Sequence, residues 1–120
     1  MAAIELTPDN MQEVVANNDI VIIDFWAPWC APCRSFAPVF EAASEKTADV
    51  VFAKLNTEQH QDIATSFNIR SIPTLMIFRE KVIIYAEAGA LPAAALEQLI
   101  EQVKAIDMAQ VRAEIAAQAS

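Results

Sequence analysis

The chain has 120 residues, 8 Lys and Arg against 16 Asp and Glu, and a formal net charge of −8, with 55% hydrophobic residues. This composition describes a folded globular chain, long enough for one domain with its own core. It excludes nucleic acid and anionic membrane surfaces as partners, because both reward clustered positive charge and no run of Lys or Arg occurs.

The stretch from Met1 to Asp9 has no basic n-region followed by a long apolar run, so no signal peptide is read there. No 18-residue apolar stretch fit for a membrane span occurs either. A cytoplasmic location follows by default, although an exported protein with its leader removed would read the same. The single glycine leaves no glycine-rich loop for a phosphate or dinucleotide.

Thr7-Pro8 reads as a helix start, with Thr7 as cap and Pro8 at the first helical position. Met11, Val14 and Val15 then give a short amphipathic helix that ends at Asn17-Asn18-Asp19. Ile20 to Trp26 is almost continuously apolar and β-branched, the pattern of a central strand covered on both faces. Ala31 to about Thr47 carries Phe36, Val39, Phe40 and Ala43 at helical spacing, and Pro38 predicts a kink within it. Asp49 to Leu55 reads as a strand and Gln59 to Phe67 as a short helix.

The loop Asn68 to Pro73 leads into a strand over Thr74 to Phe78, and Arg79-Glu80-Lys81 turns it into a hairpin strand over Val82 to Ala86. Leu91-Pro92 opens a helix with Leu96, Leu99, Ile100, Val103 and Ile106 on one face. The order α-β-α-β-α-β-β-α predicts an α/β fold, a three-layer α/β/α sandwich with a central mixed sheet. Residues 1–106 make the domain and 107–120 a helical extension of it, either prolonging the last helix or following a break near Asp107.

Both cysteines, Cys30 and Cys33, stand where the central strand hands over to a helix. A Cys-x-x-Cys pair at such a junction points to thiol redox chemistry. If Cys30 begins the helix, Cys33 lies one turn on, on the same face and within disulfide reach. The helix N-terminus favours a thiolate at Cys30, whereas Cys33 sits deeper. That asymmetry makes Cys30 the nucleophile and Cys33 the thiol that resolves the mixed disulfide. A buried pair of free thiols is the alternative. A zinc site needs two further ligands, and His60, the one histidine, sits at an exposed helix start, so no metal set is read.

Asp24 lies inside the apolar strand, where burial raises the pKa of a carboxyl, and a carboxylate near a thiol pair can take the proton of Cys33. The alternative places Asp24 at a strand end facing water. Lys54 occupies the corresponding part of the next strand and either pairs with Asp24 or stays an exposed edge lysine.

Trp26-Ala27-Pro28-Trp29-Cys30-Ala31-Pro32-Cys33-Arg34 resembles the active site of the thioredoxin family. The resemblance extends from about residue 5 to 106 and includes Asp24-Phe25-Trp26, Lys54-Leu55-Asn56, Arg70-Ser71-Ile72-Pro73-Thr74 and Gly89-Ala90-Leu91. It implies the thioredoxin fold and protein-disulfide reduction by Cys30 and Cys33 without a metal or organic cofactor. It further implies Asp24 as the buried proton acceptor with Lys54 nearby, and a cis Pro73. Trp29, Ile72 and Pro73 would bind substrate, the Ile72 backbone pairing with an extended segment. Disulfide-containing proteins are the implied substrates and a thioredoxin-reductase-type protein the electron donor.

Three features depart from the family pattern. Ala31 replaces the usual glycine between the cysteines, Lys81 stands where the hairpin glycine is usual, and a tail follows Ile106. The residues between the cysteines set redox poise, so a more oxidising oxidoreductase or isomerase is one alternative reading. The apolar edge strand Val82 to Tyr85 and the tail suggest another, a binding module for a dedicated partner or a homodimer.

Overall fold

The computed structural model describes residues 3–119; Met1 and Ala2 of the predicted domain and Ser120 of the extension lie outside the described residues. The sheet is organised around β2 (Ile20–Trp26), whose first six residues are all buried. Only a strand with a layer on each face can bury consecutive side chains in this way. Alternation sorts them: Ile20 and Ile22 enter one core cluster, and Val21, Ile23 and Phe25 the other.

β3 (Val51–Asn56) runs parallel to β2, and β1 (Ile4–Glu5) runs parallel to β3. On the other side of β2, β4 (Thr74–Arg79) is antiparallel to it and β5 (Val82–Ala88) antiparallel to β4. The strand order is β1-β3-β2-β4-β5.

α1 (Met11–Asn17) and α3 (Gln61–Ser66) cover one face, with Met11, Val14, Val15, Ile63 and the following Phe67 packed inward. α2 (Ala31–Lys46) and α4 (Ala93–Lys104) cover the other, through Phe36, Phe40, Ala43, Leu96, Ile100 and Val103. Phe40 meets Phe52 edge-on at 5.2 Å between centroids and locks α2 against β3. Such a contact adds about 0.5–1.5 kcal/mol beyond burial. This is the predicted α/β/α sandwich with a mixed sheet.

The N-terminal region departs from expectation. β1 is too short to leave a period in the sequence and forms because β3 offers an open ladder; Leu6 N–H donates to the Lys54 carbonyl at 2.8 Å. Thr7 caps the turn that leads into the first helix rather than the helix itself: its Oγ1 accepts the Asp9 N–H at 3.2 Å, and its carbonyl accepts from Met11 at 3.1 Å. Residues 7–10 close a separate turn, in which Asn10 Oδ1 accepts the Thr7 N–H at 2.8 Å, and α1 begins at Met11. α3 likewise starts after the predicted Gln59, because Asn56 Oδ1 accepts the N–H groups of Glu58 and Gln59 in an Asx turn. α3 ends in a Schellman motif: Asn68, at φ 58°, donates to Thr65 O, and Ile69 donates to Ala64 O. That left-handed residue turns the chain toward Arg70-Ser71-Ile72-Pro73.

Glu80 and Lys81, at φ 50° and 72°, make the two-residue turn between β4 and β5. A turn with two positive φ values matches the twist of a hairpin but normally recruits Asn and Gly. The tail takes the second of its two predicted forms: α5 (Met108–Ala119) follows a break after α4. Arg79 makes that break by donating from Nη1 to Val103 O, Lys104 O and Ile106 O at 2.8, 3.2 and 2.7 Å. Met108 is buried at the root of α5, and Arg112 pairs with Glu80 on the hairpin turn.

Candidate active site

Where β2 ends, Ala27 to Cys30 form a tight loop, closed by Cys30 N–H donating to Ala27 O at 3.2 Å. Cys30 has extended backbone and is the N-cap of α2. Its Sγ accepts the Cys33 N–H at 3.2 Å, and its carbonyl accepts from Arg34 at 3.1 Å. The sequence favours this start because Ala31 is a good helix former and Pro32 lies in the first turn, where no intrahelical N–H is lost. Ala31 opens α2 with helical backbone and an exposed side chain, so this position makes no demand for glycine.

Cys30 and Cys33 are joined as a disulfide, with their Cα atoms 5.2 Å apart. The two cysteines differ little in exposure, at 5% and 2%. Trp29, in contrast, is 65% exposed on the rim. The loop before β4 reaches the same spot from 42 residues away. The Ile72–Pro73 bond is cis, and the Ile72 carbonyl oxygen lies 3.9 Å from Cys30 Sγ. Pro73 is buried, and its carbonyl accepts from Gly89 N–H at 2.8 Å, which ties the end of β5 to this loop.

Asp24 is fully buried, and neither carboxylate oxygen has a hydrogen-bond partner. It follows Ile20 and Ile22 in alternation, so it faces the layer of α2 and α4, the layer that carries the cysteines. Burial pushes its pKa up from 3.8 to about 7, and the nearby Lys54 charge pulls the other way. Lys54 sits directly across from Asp24 in the β2–β3 register. The predicted alternatives for Lys54 were an ion pair with Asp24 or an exposed edge position. It takes neither: it is half-buried, and Nζ lies 4.5 Å from the centre of the Trp26 ring.

The structure brings Cys30, Cys33, Ile72 and Pro73 together beyond the end of β2, with Trp29 on the rim, and sets Asp24 opposite Lys54 two residues before that strand ends. His60 stays apart from them at the N-cap of α3. Among the described residues, no group of three His, Cys, Asp or Glu side chains could hold a metal ion.

Two contributors were missed from sequence. Thr57 donates to the Trp26 carbonyl from both its N–H, at 2.8 Å, and its hydroxyl, at 3.0 Å. Arg34 Nη1 donates to Pro28 O at 2.8 Å and braces the Trp29 loop. Nothing in the sequence marks Thr57. Trp26, two residues beyond Asp24 on the same strand face, was legible from period-2 alternation.

The main apolar groove, of about 620 Å³, lies between α1 and α3 and touches neither cysteine.

Comparison with known proteins agrees with this geometry. The Thioredoxin family model matches residues 2–102. The chain is 49% identical over 117 residues to "Putative thioredoxin 2" of Streptomyces coelicolor, covering 98% of this chain and 87% of that protein. It is 40% identical over 104 residues to thioredoxin of Porphyra purpurea, covering 85% and 97% respectively. Among solved structures, a mutant thioredoxin from Halobacterium salinarum superimposes with a TM-score of 0.82 at 30% identity, covering 88% of this chain and 94% of that one. A disulfide across the first turn of α2, in this fold and with these relatives, places the chain in the thioredoxin family of thiol–disulfide oxidoreductases.

Proposed function

We propose that the chain reduces protein disulfides, with Cys30 as nucleophile, Cys33 as resolving thiol and Asp24 as proton acceptor. The observation that carries this reading is a helix-capping dithiol pair at the end of the strand that buries, on the sheet face covered by the same helix, a carboxyl with no hydrogen bond. In the reduced protein, the Cys30 thiolate attacks one sulfur of a substrate disulfide. A mixed disulfide forms and a substrate thiolate leaves, taking its proton from water. Asp24 accepts the proton of Cys33, whose thiolate then attacks Cys30 Sγ. The Cys30–Cys33 disulfide forms and the second substrate thiolate departs; two electrons have passed to the substrate. A pKa of about 7 suits a group that must accept and return a proton near neutrality.

Trp29, Ile72 and Pro73 form the substrate platform in this reading. The exposed Trp29 ring and the Ile72 backbone beside Cys30 support pairing with an extended segment. The reaction uses the dithiol and no metal or organic cofactor, and a thioredoxin-reductase-type donor in the cytoplasm returns the disulfide to the dithiol. No helix among the described residues is long and apolar enough to cross a membrane. Residues 1–106 are the thioredoxin domain and 107–120 an extension of the same unit, a division supported by buried Met108 and the Arg112–Glu80 pair. Exposed Ile83 on β5 and Ile115 on α5 favour a homodimer through one of these surfaces. Sedimentation of the full chain and of the chain truncated after Ile106 tests the α5 version; an unchanged oligomeric state overturns it.

Insulin reduction driven by dithiothreitol tests the main reading. Wild type accelerates precipitation, Cys30→Ser abolishes the acceleration, and equal rates for the two would overturn the reductase function.

A further inference from the structure

The proton acceptor of a dithiol site needs its charge environment held constant while the sulfurs exchange partners. Asp24 has no hydrogen bond that could set it. The face of the sheet that carries it is lined by apolar residues of α2 and α4, namely Phe36, Phe40, Leu96, Ile100 and Val103. The charged or titratable groups on that face are few. Cys30 caps α2 and Cys33 lies in its first turn, Lys54 comes from β3, and Glu5 stands across from Lys54 on β1. Arg79 on β4 pairs with Ile20 at the far end of β2, Tyr85 and Glu87 lie on the outer strand β5, and Glu41 of α2 accepts from Ala3 N–H beside β1. Lys54 is the one cation placed opposite Asp24 among the described residues.

A lysine ammonium on a flexible four-carbon stem, at the open end of a sheet, goes to water unless something holds it. No carboxylate does so here: both Asp24 oxygens lack a hydrogen-bond partner, and Glu5, which stands across from Lys54 in the β1–β3 register, makes no ion pair with it. The Trp26 indole does. It lies two residues beyond Asp24 on the same face of β2 and presents its ring at 4.5 Å from Lys54 Nζ. The indole is itself anchored. Thr57 fixes the Trp26 carbonyl with two hydrogen bonds, and the ring packs against the cluster of Ala27, Cys30 and Cys33.

We infer that Trp26 is a positioning residue, whose ring holds the Lys54 ammonium next to Asp24 and so keeps the counter-charge of the proton acceptor in place. This inference rests on the assignment of Asp24 above, but its structural half is tested independently. Removing the indole face frees Lys54, and Asp24 loses a nearby positive charge, which favours its neutral form.

The test follows the Asp24 carboxyl carbon by NMR, in reduced protein labelled with ¹³C-aspartate. Wild type, Trp26→Phe, Trp26→Leu, Lys54→Gln and the Trp26→Leu/Lys54→Gln double variant are titrated, alongside the pH profile of insulin reduction. The Asp24 midpoint moves upward by about half a pH unit or more in Trp26→Leu, close to the shift in Lys54→Gln. It moves less in Trp26→Phe, which keeps an aromatic face, and the double variant shows no further shift beyond Lys54→Gln. Should Trp26→Leu prove unfolded, the Trp26→Phe and Lys54→Gln pair decides.

An unchanged midpoint in a folded Trp26 variant overturns the inference. So does a downward shift, which is the sign of solvent entry, or an equal upward shift with and without Lys54, which would show that Lys54 is not the intermediary. If Asp24→Asn leaves the resolution of the mixed disulfide unaffected, the role of Asp24 fails, while the midpoints still decide the link from Trp26 to Lys54.

Discussion

Burying Asp24 has a cost that a pH titration of stability should expose. Its carboxyl titrates near 3.8 when unfolded and about 7 when folded. Between those values the folded state holds a proton that the unfolded state has released, so stability falls as pH rises. Below the unfolded value the carboxyl is neutral in both states and the penalty vanishes. Above the folded value the penalty is complete, at about 4 kcal/mol for a group moved from 3.8 to about 7. That is a large fraction of the roughly 5–15 kcal/mol typical of a domain.

Asp24→Asn keeps the shape and cannot ionise, so it removes the penalty while retaining a buried polar group. Urea unfolding of both oxidised proteins, at pH 4 to 9, provides the measurement. The curves should nearly coincide at pH 4, separate steadily to about pH 7, and run parallel above it, with Asp24→Asn the more stable. A difference independent of pH would refute the reasoning, because it would show that Asp24 titrates alike in both states.

Two further substitutions test the lower end of the sheet. Arg79→Met removes the guanidinium that satisfies three carbonyls at the end of α4, and should cost about 2–4 kcal/mol in urea unfolding of the oxidised protein. A loss below about 0.5 kcal/mol would mean that water replaces those bonds freely. Lys81→Gly relieves a non-glycine residue held at φ 72°, and should raise stability by about 1 kcal/mol after the entropy cost of glycine. A lower melting temperature would show that the Lys81 side chain outweighs its backbone strain.

Much of this molecule was legible along the chain because its causes are local. The unbroken apolar run of Ile20 to Ile23, resumed at Phe25, requires layers on both faces, and the helical spacing of Phe36, Phe40, Leu96, Ile100 and Val103 supplies one of them. Cys30 and Cys33 acquire their geometry from a single helical turn, so spacing alone brought them within bonding reach.

Short-range turns already blurred the picture at Thr7 and Gln59, where the side chains of Asn10 and Asn56 bond nearby backbone N–H groups and the regular helices begin later. What the tertiary structure alone decided is which distant groups meet. Ile72 reaches Cys30 across 42 residues because β4 inserts antiparallel beside β2. Lys54 settles on Trp26 rather than on the Asp24 oxygens, and Arg79 ends α4 from another strand. The sequence determined that a dithiol site exists at the end of a buried strand. The charge that governs its proton was decided by packing, since a flexible ammonium has several partners within reach and only the assembled sheet selects one.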